Sequence, residues 1–286
     1  LSRFELSIGD FVARTGVNEP TLRIWERRYG FPQPERTESG HRRYSEDQAE
    51  LVDQVQILRQ AGLSLPAAIA RAQTPPDPEA ISLFSSLRGL RPELERRDVS
   101  KPVLIALSRA IEDETLARAE ARVLFGCFQR ERFYRSSQLR WRELSAAARV
   151  AAVFADFEQA RSAGGDGPAS EDCDPSEVPI SRRQQIAREW VIVAYGGRSS
   201  ICMAARELAS SNVNAASQAR AFEFVWTVEP ETVRTLARTC AVLARRTLPE
   251  LAASAEDQLA IEAPSPATEQ VRLTTAVVGR VLSELS

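Results

Sequence analysis

Apolar residues recur at helical spacing twice within the first thirty positions. Ile8, Phe11 and Val12 fall at i, i+3 and i+4 behind Ser7, a residue that caps helices. Thr15-Gly16-Val17 ends that pattern, and Gly16 can take the left-handed conformation a tight inter-helix turn needs. Asn18 caps a second helix that tolerates Pro20 in its first turn. There Leu22, Trp25 and Tyr29 make an inward stripe, which leaves Arg23 and Arg27 one turn apart on another face. Thr37-Glu38-Ser39-Gly40 is a turn signal with Arg36 before it and His41, Arg42, Arg43 and Tyr44 after it, so a short hairpin is expected. Ser45, with Gln48 three residues on, opens a third helix with Leu51, Val55 and Leu58 inward. Gly62 closes it, and Ser64 starts a fourth helix with Leu65 and Ile69 inward. The order is helix, turn, helix, wing, then two supporting helices.

Three prolines within residues 74–78 then stop any helix and predict a linker. Ile81 to Leu90 reads as a short helix and Pro102 to Ala119 as a longer one. From about Arg122 the period shortens. Val123 to Gln129, Val150 to Phe154, Trp190 to Tyr195, Ser200 to Ala205 and Phe222 to Thr227 read as five strands, with a helix from Arg132 to Ala147. Gly164 to Pro179 reads as an exposed loop, and Glu229 to Thr247 as a helix. Thr268 to Leu285 places Val271, Val278, Val281, Leu282 and Leu285 along one side of a last helix, suited to packing or dimerisation. The expected fold is multidomain. An all-α winged helix-turn-helix spans 1–73 and a linker with a short helix spans 74–100. An α/β or α+β sensory-sized domain with about five strands spans 101–247, and a helical extension covers 248–286.

Composition narrows the function. The chain has 286 residues and a net charge of -2, so it is not globally basic, and any nucleic-acid contact has to come from a local patch. Six arginines and His41 lie between Arg23 and Arg43 against Glu26, Glu35 and Glu38, on the second helix and the wing. No run of about 18 apolar residues and no signal segment occurs, so a cytoplasmic protein without membrane contact is expected. Cys127, Cys173, Cys202 and Cys240 form no CxxC pair, His41 is the only histidine, and no metal or other cofactor is expected. Neither a phosphate-binding glycine loop nor a GxSxG elbow is present, which argues against an enzyme. Asp156 and Glu158 follow a strand, but nothing else in the sequence converges on them. A single lysine, Lys101, with abundant arginine and alanine suggests a GC-rich bacterial genome.

Residues 7 to 47, with SIG, TGV, TLR, WERRYG, PER and GHRRYS at their intervals, resemble the MerR-family winged-helix domain. The WERRYG form is similar to the branch that includes light- and cobalamin-responsive repressors. The DxHxxG ligand motif of cobalamin binders is absent, and His41 stands where the family usually has tyrosine. The resemblance implies that Thr21, Arg23, Arg27, Arg36, His41, Arg42, Arg43 and Tyr44 face double-stranded DNA, with Arg23 the best placed to reach a base edge. It also implies a homodimer on an inverted repeat that distorts promoter DNA for RNA polymerase.

From Lys101 to about Arg246 the chain resembles the DICT sensory domain, through LSRAIEDE, VLFGCFQRERFYR, WREL, VAAVFADF, EWVIVAYG and FEFVWT. Arg130, Arg132, Tyr134 and Arg135, just after a strand, are candidates for an anionic ligand; the blander reading is a helix start with solvent-facing arginines. The expected function is a DNA-binding transcriptional regulator whose second domain senses a signal. The alternative is a constitutive DNA-bound adaptor whose second domain recruits a signalling protein and binds no small molecule.

Overall fold

The computed structural model describes residues 6–37, 39–60, 62–74, 79–161, 173–208, 221–261 and 266–285. Glu38 of the hairpin turn, most of the proline linker and residues 164–172 of the expected loop lie outside the described residues. The chain divides into two units, Leu1–Pro76 and Asp77–Ser286.

The first unit is built from α1 (Ile8–Thr15), α2 (Glu19–Tyr29), the hairpin β1 (Glu35–Arg36) and β2 (Arg42–Arg43), α3 (Glu46–Gln60) and α4 (Leu65–Gln73). Local chemistry sets each boundary. The Ser7 hydroxyl and the Asp10 carboxylate exchange capping bonds at the start of α1, and Gly16 ends that helix at φ 68. The Asn18 side chain accepts from the Thr21 N–H at 2.9 Å to open α2. The Ser45 Oγ accepts from the Gln48 N–H at 3.2 Å to open α3, whereas Ser64 precedes α4 without a side-chain capping bond. Phe11, Leu22, Trp25, Phe31, Tyr44, Val52, Val55 and Ile69 form the core. The inner stripe of α3 is Ala49, Val52 and Val55; Leu51 and Leu58 pack half-buried beside it. The stripe differs from the sequence reading because α3 meets both α1 and α4, so its buried sector is centred between two neighbours.

The second unit is a three-layer sandwich around a seven-stranded sheet of order β3-β9-β8-β7-β4-β5-β6. In chain order its elements are α5 (Leu83–Leu90), β3 (Arg97–Ser100), α6 (Lys101–Arg118), β4 (Ala121–Cys127), α7 (Glu131–Arg135), α8 (Gln138–Ala146) and β5 (Val150–Ala155). There follow β6 (Ser176–Pro179), β7 (Glu189–Gly196), β8 (Ser200–Glu207), β9 (Ala221–Thr227), α9 (Pro230–Ala244), α10 (Pro249–Ala260) and α11 (Ala267–Glu284). Pairings β4–β5 and β5–β6 are parallel and the other four antiparallel. Both faces are covered, so the middles of the central strands are apolar on both sides, with polar and charged residues such as Arg122, Glu189 and Arg206 towards their ends. Val123, Phe125, Val193 and Cys202 point to the layer of α5, α9 and α10; Leu124, Val153, Ile192 and Met203 point to the layer holding α6, α8 and α11. Cys127, Cys202 and Cys240 meet in the first of these layers, where burial pushes the Cys127 and Cys202 thiols up.

Two strands beyond the expected five complete the sheet, and both are edges. Arg97-Asp98-Val99-Ser100 is exposed at three of four positions, a charged edge that the hydrophobic pattern does not mark. Ser176–Pro179 corrects the expected exposed loop. Its Glu177 is buried, and Arg135, 42 residues away, neutralises that charge through two hydrogen bonds at 2.5 and 3.1 Å. Helix α5, read from sequence as lying within a linker segment, buries Leu83, Phe84 and Leu87 in the sheet core. Helices α10 and α11 likewise pack onto the unit, α10 against α9 and α11 against α6.

A carboxylate from the sheet caps α5. Glu189 of β7 accepts from the backbone N–H of Leu83 at 2.9 Å and of Phe84 at 3.2 Å, and from the Ser82 hydroxyl. Burial raises its pKa above the ordinary 4.5, against the pull of these hydrogen bonds. A carboxyl raised on folding contributes stability that is full below 4.5 and lost as pH climbs through the folded value. Glu189→Gln titrates in neither state. Its stability deficit relative to wild type is therefore expected to shrink between pH 4 and pH 7, as read from chemical denaturation across that range.

Candidate nucleic-acid interface

The second helix and the hairpin of the first unit make one cationic face. Leu22 and Trp25 anchor α2 inward, and the helical period then turns Arg23, Ile24, Arg27 and Arg28 outward. Arg23 pairs with Glu19 one turn earlier. Both side chains are largely exposed, so the pair contributes little and leaves Arg23 able to reach a phosphate or base. Thr21 is half-buried, its N–H held by Asn18.

Glu26 fastens the hairpin beside the helix. Its carboxylate accepts from Arg42 at 2.9 and 3.3 Å and lies 3.9 Å from Arg36. Arg42 is thereby committed to position, its pKa raised first by the Glu26 hydrogen bond, while Arg36 remains mostly exposed. Arg43 is half-buried on the other side of the strand, within electrostatic reach of Asp10. The hairpin closes through the Thr37 N–H donating to the His41 carbonyl at 2.9 Å, with Gly40 at φ 80, and His41 is exposed at the tip. Tyr44 is 1% exposed and stacks on Phe11 with ring centroids 4.2 Å apart. The ring therefore lies in the core and not on the surface where the resemblance implies a DNA contact.

The outward set is thus Arg23, Arg27, Arg36 and His41, with Arg42 and Arg43 held closer to the unit. Sequence reasoning passed over three residues. Arg28 adds a cation in the last turn of α2, and Ile24, 48% exposed between two arginines, offers an apolar contact of the kind that meets a thymine methyl. Glu26 is the clasp. An acidic residue one turn after Leu22 and facing a predicted hairpin was the available signal, but it read as charge opposing DNA.

In the second unit the four candidate ligand residues do not converge. Tyr134 is fully buried, and burial, aided by Glu177, pushes its hydroxyl up to about 12. Arg135 is held by Glu131 and Glu177 and lies over the Tyr134 and Phe157 rings. Arg130 sits 3.7 Å from Asp156, and Arg132 lies over Phe133. Carboxylates thus already partner Arg130 and Arg135, and Tyr134 is in the core, so these residues present no preformed anion site. Asp156 accepts from the Glu131 N–H at 2.7 Å and from Arg182 at 2.8 Å; these bonds hold its pKa low against the opposing effect of burial. Among the described residues no helix is long and apolar enough to cross a membrane.

The profile of the MerR HTH family regulatory protein matches residues 6–73. The profile described as a sensory domain in diguanylate cyclases and two-component systems, DICT, matches residues 81–208. Over 76 residues the chain is 45% identical to the HTH-type transcriptional repressor CarA of Myxococcus xanthus, an alignment covering 26% of each protein. Over 58 residues it is 36% identical to the mercuric resistance operon regulatory protein of Bacillus cereus, covering 20% of this chain and 44% of that relative. Both alignments span well under two thirds of the relatives' lengths. Two independent profiles, each on its own structural unit, lead to one assignment: the chain carries a MerR HTH family domain in its first unit and a DICT sensory domain in its second.

Proposed function

We propose that this protein is a DNA-binding transcriptional regulator that grips an inverted-repeat promoter site as a homodimer and works with RNA polymerase there, its second unit responding to a signal. The observation that carries the reading is the clasp at Glu26. It holds an arginine-bearing hairpin beside the outward arginines of α2, so base contact and phosphate contact come from one rigid face. The printed names of both relatives, a transcriptional repressor and an operon regulatory protein, support it.

Arg23→Ala is expected to cost about 1–3 kcal/mol of binding at the cognate site if Arg23 reads a base. Fluorescence anisotropy with cognate and scrambled duplexes measures this. An equal loss on both duplexes makes Arg23 a phosphate contact instead, and no loss removes it from the interface.

One observation keeps the adaptor reading of the second unit open beside the regulator reading. On α11, Val271, Thr275, Val278, Leu282 and Leu285 recur at alternating steps of four and three, all exposed; Val271 and Leu282 are 64% and 63% so. The charges of the helix lie elsewhere: Glu269 pairs with Arg118, Arg280 with Glu114, and Glu284 with Arg109. Such a seam suits another helix. In the regulator reading that helix belongs to a second copy, and in the adaptor reading to a signalling protein. Val278→Glu with Leu282→Glu, followed by sedimentation, separates them: loss of dimer mass places the second copy there, and an unchanged dimer leaves the seam to another protein.

A further inference from the structure

A cleft of about 550 Å³ opens where three connections of the second unit meet. Ala119 to Arg122 joins α6 to β4, Ala146 to Arg149 joins α8 to β5, and Gly197-Arg198 turns β7 into β8. Because β4 and β5 run parallel, the starts of both strands lie at the same end of the sheet, beside that turn. The topology thus brings Arg122, Arg149 and Arg198 together from distant parts of the sequence. Glu120 is the one carboxylate in the lining, and the remaining lining positions are alanine or glycine.

Two features of the backbone aim this end of the unit. Ala119 takes a left-handed conformation at φ 49, uncommon for a residue with a side chain. The β4–β7 ladder is irregular between Ala121 and Val123, a bulge that takes Arg122 out of register. The Nε of Arg122 is buried there and donates to nothing. Helices α6 and α8 both end at the cleft, and their terminal carbonyls alone would favour arginines. A guanidinium recruited for that purpose would donate to those carbonyls, and the Arg122 Nε does not. Neither Arg122 nor Arg149 forms an ion pair among the described residues, unlike Arg118, Arg135, Arg140, Arg206 and Arg280 of the same unit.

We infer that this cleft binds a small phosphate-bearing anion, held by Arg122, Arg149 and Arg198. Guanidinium forks match phosphate oxygens in geometry and charge. The volume suits a small molecule, and a lining without aromatic or large aliphatic side chains selects a hydrophilic one. Arg198 also provides a route outward. It acts electrostatically on Glu269, which pairs with Arg118 and Arg272 at the start of α11. An anion that draws Arg198 into the cleft therefore changes the charge balance at the root of the helix that carries the exposed seam. This specifies the signal in the sensing part of the proposed function and does not depend on DNA binding.

The test is isothermal titration calorimetry of the whole chain with inorganic pyrophosphate, and in separate arms with adenosine and guanosine diphosphate, against sodium chloride of equal ionic strength. Saturable binding by at least one phosphate compound is expected. It should be weakened about tenfold or more in Arg149→Gln and in Arg198→Gln, both at exposed positions, with their thermal transitions unchanged. Arg122→Lys, which keeps the charge and loses the fork, should weaken it as well. Stronger binding of either diphosphate than of pyrophosphate would identify a nucleotide as the source of the phosphate, and the reverse order a free polyphosphate. The inference is overturned if wild type shows no saturable heat beyond the chloride control, or if the Arg149→Gln/Arg198→Gln double variant binds as wild type does. Because no DNA is present, either outcome is independent of the regulator reading.

Discussion

Glu189→Ala is expected to destabilise the second unit by about 3–5 kcal/mol, because it leaves the buried N–H groups of Leu83 and Phe84 without acceptors and each such group costs about 1–3 kcal/mol. The Ser82 hydroxyl loses its partner in the same step. The damage should be greatest at α5, whose start is held by a residue more than a hundred positions away. Leu83, Phe84 and Leu87 cover the sheet from that helix, so a loosened cap also weakens the core. Calorimetry of the whole chain should show the transition of this unit moving down while that of the first unit stays in place. Hydrogen exchange should locate the earliest opening at residues 83–90. Unchanged protection there would mean that the carboxylate only fills space.

The second large effect concerns Gly126, in the middle of β4. A methyl group on its backbone would sit 2.2 Å from Cη2, 2.5 Å from Cζ2 and 2.8 Å from Cζ3 of Trp141. Trp141 is fully buried on α8 and meets Phe128 edge-on at 5.5 Å, so it has no space into which to withdraw. Gly126→Ala is expected to cost about 3 kcal/mol or more, at the top of the usual range for overpacking. Trp141→Phe removes the three clashing ring atoms at the price of a cavity. Adding it to Gly126→Ala should therefore recover stability, with the double variant more stable than the sum of the two single losses implies. Strict additivity in urea denaturation would contradict the close approach.

These two sites illustrate what the sequence did and did not make legible. The winged unit could be read almost element by element because its boundaries are local: Ser7, Gly16, Asn18, Ser45 and Gln48 act within three or four residues. The five central strands were legible because burial on both faces gives each of them a run of apolar residues. Edge strands β3 and β6 were not, since one is charged and solvated and the other carries a glutamate whose charge is met by Arg135 from elsewhere in the chain. Helix α5 was visible as a helix, but its place in the core depends on Glu189, a long-range partner that no local pattern announces. The same limit governed the sites. Arg23, Arg27 and Arg36 could be placed from helical period and turn signals, whereas the clasp role of Glu26 needed the hairpin docked. The apparent cluster Arg130, Arg132, Tyr134 and Arg135 disperses onto carboxylates and rings. Arg122, Arg149 and Arg198 meet only through the pairing of β4 with β5 on one side and β7 on the other.

The central claim is that the arginine face of α2 and its hairpin recognises a specific DNA site. Genome-wide capture of DNA by the purified chain, run beside Arg23→Ala/Arg43→Ala, tests it most directly. The account predicts enrichment of a palindromic promoter sequence by wild type and its loss in the variant, with both proteins folded. No enriched site at any salt concentration, or equal enrichment by the variant, would contradict it.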